Sequence, residues 1–432
     1  MRSDIPLGWN EVKLENITTK IGSGATPRGG SRVYLNQGVT FIRSQNVLDY
    51  SFDANGLVYI GDAHADQLES VTVQENDILL NITGDSVARA CLVPTDRLPA
   101  RVNQHVSIIR VDPSVADHRY LLYELQFLKQ HLLSYSHSGA TRKALTKAMI
   151  ANLTILLPPL ATQKAIAYTL SCLDAKIEVN NKIIRNLEEQ AQAIFKNWFI
   201  DFEPFQEGEF VESELGTIPK GWEVVSLSQM VSETRAGDWG IARPEGKNTE
   251  KVYCIRGADI PDVRAGKKAK MPVRYILRRN LENKRLEPND IVIEMSGGSP
   301  TQSTGRAVKI SSHLLTRYDE DLVCTNFCRA LSVKKPYATF LYRHWIHFYD
   351  TSLMFAYENG TTGIKNFDLD SFLTNVRIVV PPVELLSRYY DFYDAFEESI
   401  YSLSRECDVL ANLRDTLLPK LMSGEIEVPI DQ

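Results

Sequence analysis

The stretch ATQKAIAYTLSCLDAKIEVNNKIIRNLEEQAQAIFKNWFIDFE, residues 161–203, decides the architecture. Its 43 residues contain no Gly and no Pro, and it is bracketed by Pro158-Pro159 and Pro204. Apolar residues recur at alternating steps of four and three: Ile166, Leu170, Leu173, Ile177, Asn180, Ile184, Leu187, Ala191, Ile194 and Trp198. Asn180 is the one polar member. Such a seam predicts a single helix over 161–199 that presents one face to a partner along its length. At 1.5 Å per residue it is ~60 Å long, too long to be covered by one ordinary core. Residues 384–418 are again free of Gly and Pro and supply the partner. Their seam is Leu386, Tyr389, Tyr393, Phe396, Ile400, Leu403, Cys407, Leu410, Leu417 and Leu421, less regular and aromatic in its first half.

What precedes each helix is a repeat. At an offset of 213 residues, IPLGWNEVKL (5–14) returns as IPKGWEVVSL (218–227), VTFIRSQNV (39–47) as VYCIRGADI (252–260), and NDILLNITG (76–84) as NDIVIEMSG (289–297). Insertions then pair Arg89 with Arg306 and Gly139 with Gly360, and LLPPL (156–160) with VVPPV (379–383). The unit is a globular domain of about 150 residues followed by a long helix, present twice. Short β-branched runs at 39–42, 77–82 and 106–109 read as strands. Residues 120–133 read as one amphipathic helix with a counterpart at 337–348, and 151–157 and 375–380 as closing strands. Each domain is thus α+β with a mixed or antiparallel sheet. Helices that each follow their own domain in the same way are related by two-fold pseudo-symmetry, which makes them antiparallel.

Composition narrows the class. At 432 residues the chain exceeds one core, and its net charge of −6 at first argues against a nucleic-acid partner. Residues 381–432, however, carry 4 basic and 11 acidic side chains, so the acidity sits on the closing helix and the globular parts are near neutral. No run of 18 apolar residues occurs and the N-terminus is polar, so neither a membrane span nor a signal peptide is expected. The six cysteines are scattered without CxxC spacing and read as reduced thiols of a cytoplasmic protein.

The GW-x(2)-V-x-L openings, the IR strand, the long helix after PPL, the FKNWFIDFEPF ending (195–205) and the closing LLPKLMSGEI (417–426) occur in a fixed order. In that order and duplication the chain resembles the specificity subunit of Type I DNA restriction-modification systems over essentially its full length. The resemblance implies two target-recognition domains, at 1–157 and 206–380, each reading half of a split sequence in double-stranded DNA. Between and after them, at 158–205 and 381–432, it implies spacer helices pairing as an antiparallel coiled coil. It further implies that these dock two methyltransferase subunits, with restriction-translocase subunits in the larger complex. It implies no catalysis and no cofactor in this chain. An enzyme that modifies or cleaves DNA in one chain, and a coiled-coil adaptor without DNA readout, are the competing classes.

The residue chemistry offers candidates for DNA contact. Arg264, Lys267, Lys268, Lys270, Arg274, Arg278, Arg279, Lys284 and Arg285 stand against Glu282 alone within 264–285, a phosphate-contacting composition or a solvated surface. The glycine-rich loop at 22–30 includes Arg28 and lacks the end of a P-loop. Base edges are read by Arg, Lys, Asn or Gln held at groove depth. Candidates are Arg43, Gln45, Asn46, Arg89 and Gln104 in the first copy, and Arg256, Asp259 and Arg306 in the second. Arg43 and Arg256 recur in the repeat and are equally suited to internal ion pairs. Equivalent polar, glycine-containing segments add Arg142 and Lys143 (138–143) and Lys365 (360–366). Positions that differ between the copies are the better specificity candidates, because domains reading different half-sites must differ where they touch bases. His344 and His347 lie one helical turn apart without a further ligand nearby, a poor metal site.

Overall fold

In a computed structural model, described over residues 5–137, 144–299, 302–360 and 365–429, the two long segments are continuous helices, Leu160–Phe199 and Val383–Ser423. The second runs five residues past the expected end and carries Pro419 in its last turns, where few backbone hydrogen bonds remain to be broken. None of the twenty seam residues is exposed. The pairing is antiparallel: partner numbers fall as the first helix rises, Asp174 meeting Arg414 at 2.6 Å, Asn180 meeting Glu406 at 2.8 Å, and Ala191 meeting Tyr389. Asn180 is fully buried, and its amide donates to the Glu406 carboxylate.

The chain divides into two compact units, 1–177 with 409–432 and 178–408. Each therefore contains one globular domain and one end of the helix pair. In the first unit Ile166, Ala167 and Leu170 share a core with Leu418, Leu421 and Met422 and with the domain residues Tyr120, Leu121 and Ile155. In the second, Phe195 and Phe199 meet Leu386, Tyr389 and Tyr393 together with Trp222, Phe340 and Trp345. Seam residues thus pack against the opposite helix and, at the helix ends, into the domains.

The duplicated sequence folds as a duplicated structure. In the first copy an antiparallel sheet orders Thr18–Ser23, Val106–Val111, Ile78–Asn81 and Ala90–Leu92. The second copy orders Val231–Ala236, Cys328–Val333, Ile291–Glu294 and Ala307–Lys309 in the same way. Beside it lies a second sheet around a parallel pair, Val39–Ile42 with Ala100–Val102 in one copy and Asn248–Ile255 with Leu322–Cys324 in the other. An antiparallel pair ties the start of each domain to the strand before its double proline, Asn10–Lys13 with Thr154–Leu157 and Glu223–Ser226 with Arg377–Val380. Gly24 and Gly237 hold equivalent places: a Cβ on either would lie 2.0 Å from a carbonyl oxygen of the neighbouring strand end. Close backbone approach therefore demands glycine there, which accounts for part of the glycine-rich loop without a ligand.

Three expectations need correction. Residues 120–133 form two helices, His118–Phe127 and Lys129–His137. Leu128 between them leaves helical geometry at ψ 6°, as the chain passes from a segment buried on every side to one half in solvent. The stretch 151–157 begins as the end of a short helix, Lys147–Ala151, and only Thr154–Leu157 is strand. Asp77 precedes its strand, fully buried, because its carboxylate accepts from the Arg110 guanidinium and from the Gln74 backbone N–H.

None of the six cysteines forms a disulfide, and four of them are buried. Burial pushes the Cys91 thiol up to about 12 and Cys328 to about 11. Among the described residues, no helix is long and apolar enough to cross a membrane.

Candidate nucleic-acid interface

In the first copy the strands deliver their loops to a polar cleft of about 460 Å³ lined by Ser44, Gln45, Thr83, Gly84, Asp85, Ser86, Arg89 and His105. Two sequence candidates, Gln45 and Arg89, meet here, and Gln104 stands beside it through a hydrogen-bonded chain. The Thr26 hydroxyl donates to Gln104 Oε1, and Gln104 Nε2 lies 3.0 Å from His105 Nε2. His105 Nδ1 lies 2.6 Å from Thr83 Oγ1. With the Gln104 amide donating to Nε2, the neutral ring donates from Nδ1 to Thr83, which leaves the Thr83 hydroxyl hydrogen for a further acceptor. The cleft therefore offers a guanidinium, a primary amide and a hydroxyl as donors, and the Asp85 carboxylate as acceptor. That is the inventory that pairs with the edges of bases. Among the described residues Arg89 has no acidic partner.

Its counterpart Arg306 is differently placed. Glu294 accepts from both Nε (2.7 Å) and Nη2 (2.6 Å), holding the guanidinium firmly in its charged form. The equivalent of Glu294 in the first copy is Asn81, whose amide donates instead to the carbonyl of Ser44 at 2.8 Å. With a carboxamide in place of the carboxylate, Arg89 lacks, among the described residues, the acidic partner that Arg306 has.

Several candidates are occupied inside the fold. Asn46 is fully buried: its Oδ1 accepts from the Arg43 backbone N–H at 3.0 Å and its Nδ2 donates to the carbonyl of Asp53 at 2.9 Å. It caps a turn and reaches no base. Asp259 does the same in the second copy and also holds Arg256, at 2.9 and 2.8 Å. Arg43 donates to the carbonyl of Gly56 and lies over the Tyr34 ring. Lys365 is paired with Glu358 at 2.7 Å. Arg28 is exposed on its loop. Arg142 and Lys143 lie outside the described residues.

The basic run is less one-sided in space than along the chain. It spreads over the helix Ile260–Arg264, the strand Val273–Leu277 and the helix Arg278–Lys284. Lys267 faces Asp262 at 3.8 Å, Arg278 faces Glu282 at 3.5 Å, Lys284 faces Asp238 at 3.8 Å and Arg285 faces Glu287 at 2.8 Å. Glu282 is therefore not the only opposing anion. Lys268 lies over the Tyr318 ring, and Arg274 stacks on Trp239 at 3.9 Å while donating to its carbonyl. Lys270 and Arg279 are exposed and, among the described residues, have no acidic partner. Sequence reasoning missed Thr83, Asp85 and His105, and Trp239 and Phe327 in the second copy. Alignment of the copies would have exposed Trp239 against Thr26 at the offset of 213, and Phe327 against His105 past it, as divergent residues.

His344 is fully buried, edge-on to Phe195 at 4.8 Å and Phe340 at 4.6 Å. Burial first, and then His347, lowers its pKa to about 3. It is a neutral member of an aromatic core.

A duplicated α+β domain, each copy joined to one end of a helix pair, and a polar loop cleft define a two-domain, helix-linked class of protein. A family model described as the Type I restriction modification DNA specificity domain matches residues 6–189. The chain is 27% identical to the Type I restriction enzyme MjaIX specificity subunit of Methanocaldococcus jannaschii, over 98% of this chain and 95% of that one. It is 22% identical to the HindI specificity subunit of Haemophilus influenzae, over 97% and 99%. The crystal structure of the S subunit of a Type I restriction-modification system from M. genitalium has the same fold, with a TM-score of 0.50 at 13% identity, covering 100% of this chain and 99% of that one. Over essentially its full length the chain is thus similar to Type I restriction-modification specificity subunits.

Proposed function

We propose that this chain gives a Type I restriction-modification complex its DNA specificity by reading a bipartite target, one half with each globular domain. Residues 1–157 and 206–380 are the two reading domains. The helices within 158–205 and 381–432 scaffold two methyltransferase subunits, and restriction-translocase subunits join the same assembly. Base modification and strand cleavage belong to those partners, and this chain does no chemistry of its own. One observation carries the reading: two copies share strand order and closing pair, yet differ in the side chains at equivalent loops, Arg89 without an acidic partner among the described residues and Arg306 bound to Glu294. A scaffold alone has no use for such a difference, whereas two readers of different half-sites require it.

The test exchanges residues 1–157 for the equivalent domain of a relative and maps the methylated sequence of the assembled complex. One half of the target is expected to change while the other stays. A change in both halves, or in neither, refutes the split reading.

A further inference from the structure

The turn that carries Gln104 and His105 has a counterpart with opposite chemistry. In the first copy this turn joins Ala100–Val102 to Val106–Val111; in the second, Thr325-Asn326-Phe327 joins Leu322–Cys324 to Cys328–Val333. The two frames match bond for bond. Asn103 N–H donates to the carbonyl of Ile42 at 3.0 Å, and Thr325 N–H to that of Ile255 at 3.0 Å. Ile82 N–H donates to the carbonyl of His105 at 3.0 Å, and Met295 N–H to that of Phe327 at 2.8 Å. Asn81 pairs with Val106 in the ladder, and Glu294 with Cys328. Phe327 therefore stands where His105 stands, and Asn326 where Gln104 stands. By the shared frame of Gly24 and Gly237, Trp239 stands where Thr26 stands. The hydrogen-bonded chain of the first copy is replaced by two aromatic residues.

Phe327 is 64% exposed, the most exposed large apolar side chain of the second domain among the described residues. Its backbone is pinned while its ring is left in solvent, where covering it with an apolar group would be favourable. We propose that Phe327 is a specificity-determining residue of the second half-site and reads the 5-methyl group of a thymine. This rests on the assignment of the domain as a DNA reader. The turn occupies the place from which the first copy presents hydrogen-bonding groups to base edges. A ring there meets an edge too, and the one apolar feature on a major-groove edge is the thymine methyl.

The experiment uses the complete complex with its methyltransferase partner, on duplexes carrying the mapped target. Each thymine on either strand is replaced in turn by deoxyuridine, which removes the methyl and keeps the pairing. For the wild-type complex, one replacement in the second half-site is expected to weaken binding about fourfold, the value of burying one methyl-sized group. In Phe327→Ala that position should bind thymine and uracil alike, and the first half-site should be unaffected. Phe327→Leu should retain part of the discrimination. Circular dichroism checks that both variants are folded. If no replacement shows an effect that Phe327→Ala abolishes, or if the second half-site contains no thymine, the inference falls while DNA reading stands. If Phe327→Ala instead lowers methyltransferase assembly at unchanged DNA preference, the ring is a protein contact and the inference also falls. If the wild-type complex has no sequence preference, the reading of the domain itself fails.

Discussion

At the scale of single residues, similarity in sequence conceals opposite roles. Arg89 and Arg306 align in the repeat, but Glu294 forms two hydrogen bonds to Arg306 while Asn81 turns away from Arg89. Arg89→Ala should therefore relax base preference at one position of the first half-site, with a loss on the order of 1–3 kcal/mol for a good bidentate contact. Arg306→Ala should destabilise the second domain by leaving the buried Glu294 unpaired. Target-library selection and thermal melting of the two variants separate these outcomes. His344 gives a pH signature. Its pKa in the fold is about 3, against about 6.5 when unfolded, so the unfolded chain binds more protons between those values. Its contribution is fully present above pH ~6.5 and is lost as pH falls toward ~3, at up to about 1.4 kcal/mol per pH unit. His344→Leu should flatten that part of the acid limb, read by urea unfolding between about pH 4 and pH 7. An unchanged limb would show that the ring is not desolvated in solution.

At the scale of elements, a charge run cannot be judged by its own residues. Asp238, Asp262 and Glu287 lie outside the stretch 264–285, and all three face its cations. Such exposed pairs are individually weak, but each lysine or arginine so placed releases fewer counterions on meeting DNA. Lys270→Gln with Arg279→Gln should therefore flatten the slope of log K against log salt by up to about 1.8 units, at about 0.9 per lost phosphate contact. Lys284→Gln with Arg285→Gln should flatten it less. Equal slopes for wild type and both double variants would mean that the run stays solvated in the complex. The helix seam behaves in the opposite way. Its signal is local and periodic, so every position that spacing picked out is shielded, including the buried Asn180, while Phe195, Phe199 and Tyr401 are buried outside the seam.

At the scale of the whole molecule, the helix pair should set the spacer between half-sites. Four residues inserted beside Asn180, with a matching insertion beside Cys407, lengthen a helix by ~6 Å and turn its end by ~40°. Two base pairs lengthen DNA by ~6.8 Å and turn it by roughly 70°. The insertion variant should accordingly methylate targets with a wider spacer, read on oligonucleotides varied one base pair at a time. Retention of the parental spacer by a folded, assembled variant would exclude the helices as the ruler. The duplication, some strands of each copy, the two helices and their antiparallel pairing were legible because each rests on a repeat or a period along the chain, whereas Thr18–Ser23, Ala90–Leu92 and Ala100–Val102 were not read as strands. Short-range order of that kind survives in one dimension. The site was legible only in part: Gln45, Arg89 and Gln104 lie at or beside the cleft, whereas Asn46 is buried, Arg306 is held by Glu294, and the partly exposed Arg256 is paired with Asp259. What separates them is whether a carboxylate or a backbone carbonyl, three to twelve residues away along the chain, occupies the polar group first. Glu294 lies twelve residues from Arg306, and Thr83 lies 22 from His105. Burial, and pairs such as Glu294 with Arg306 or Thr83 with His105, exist only once separate strands are side by side, so the tertiary structure decided which of these polar side chains stay exposed.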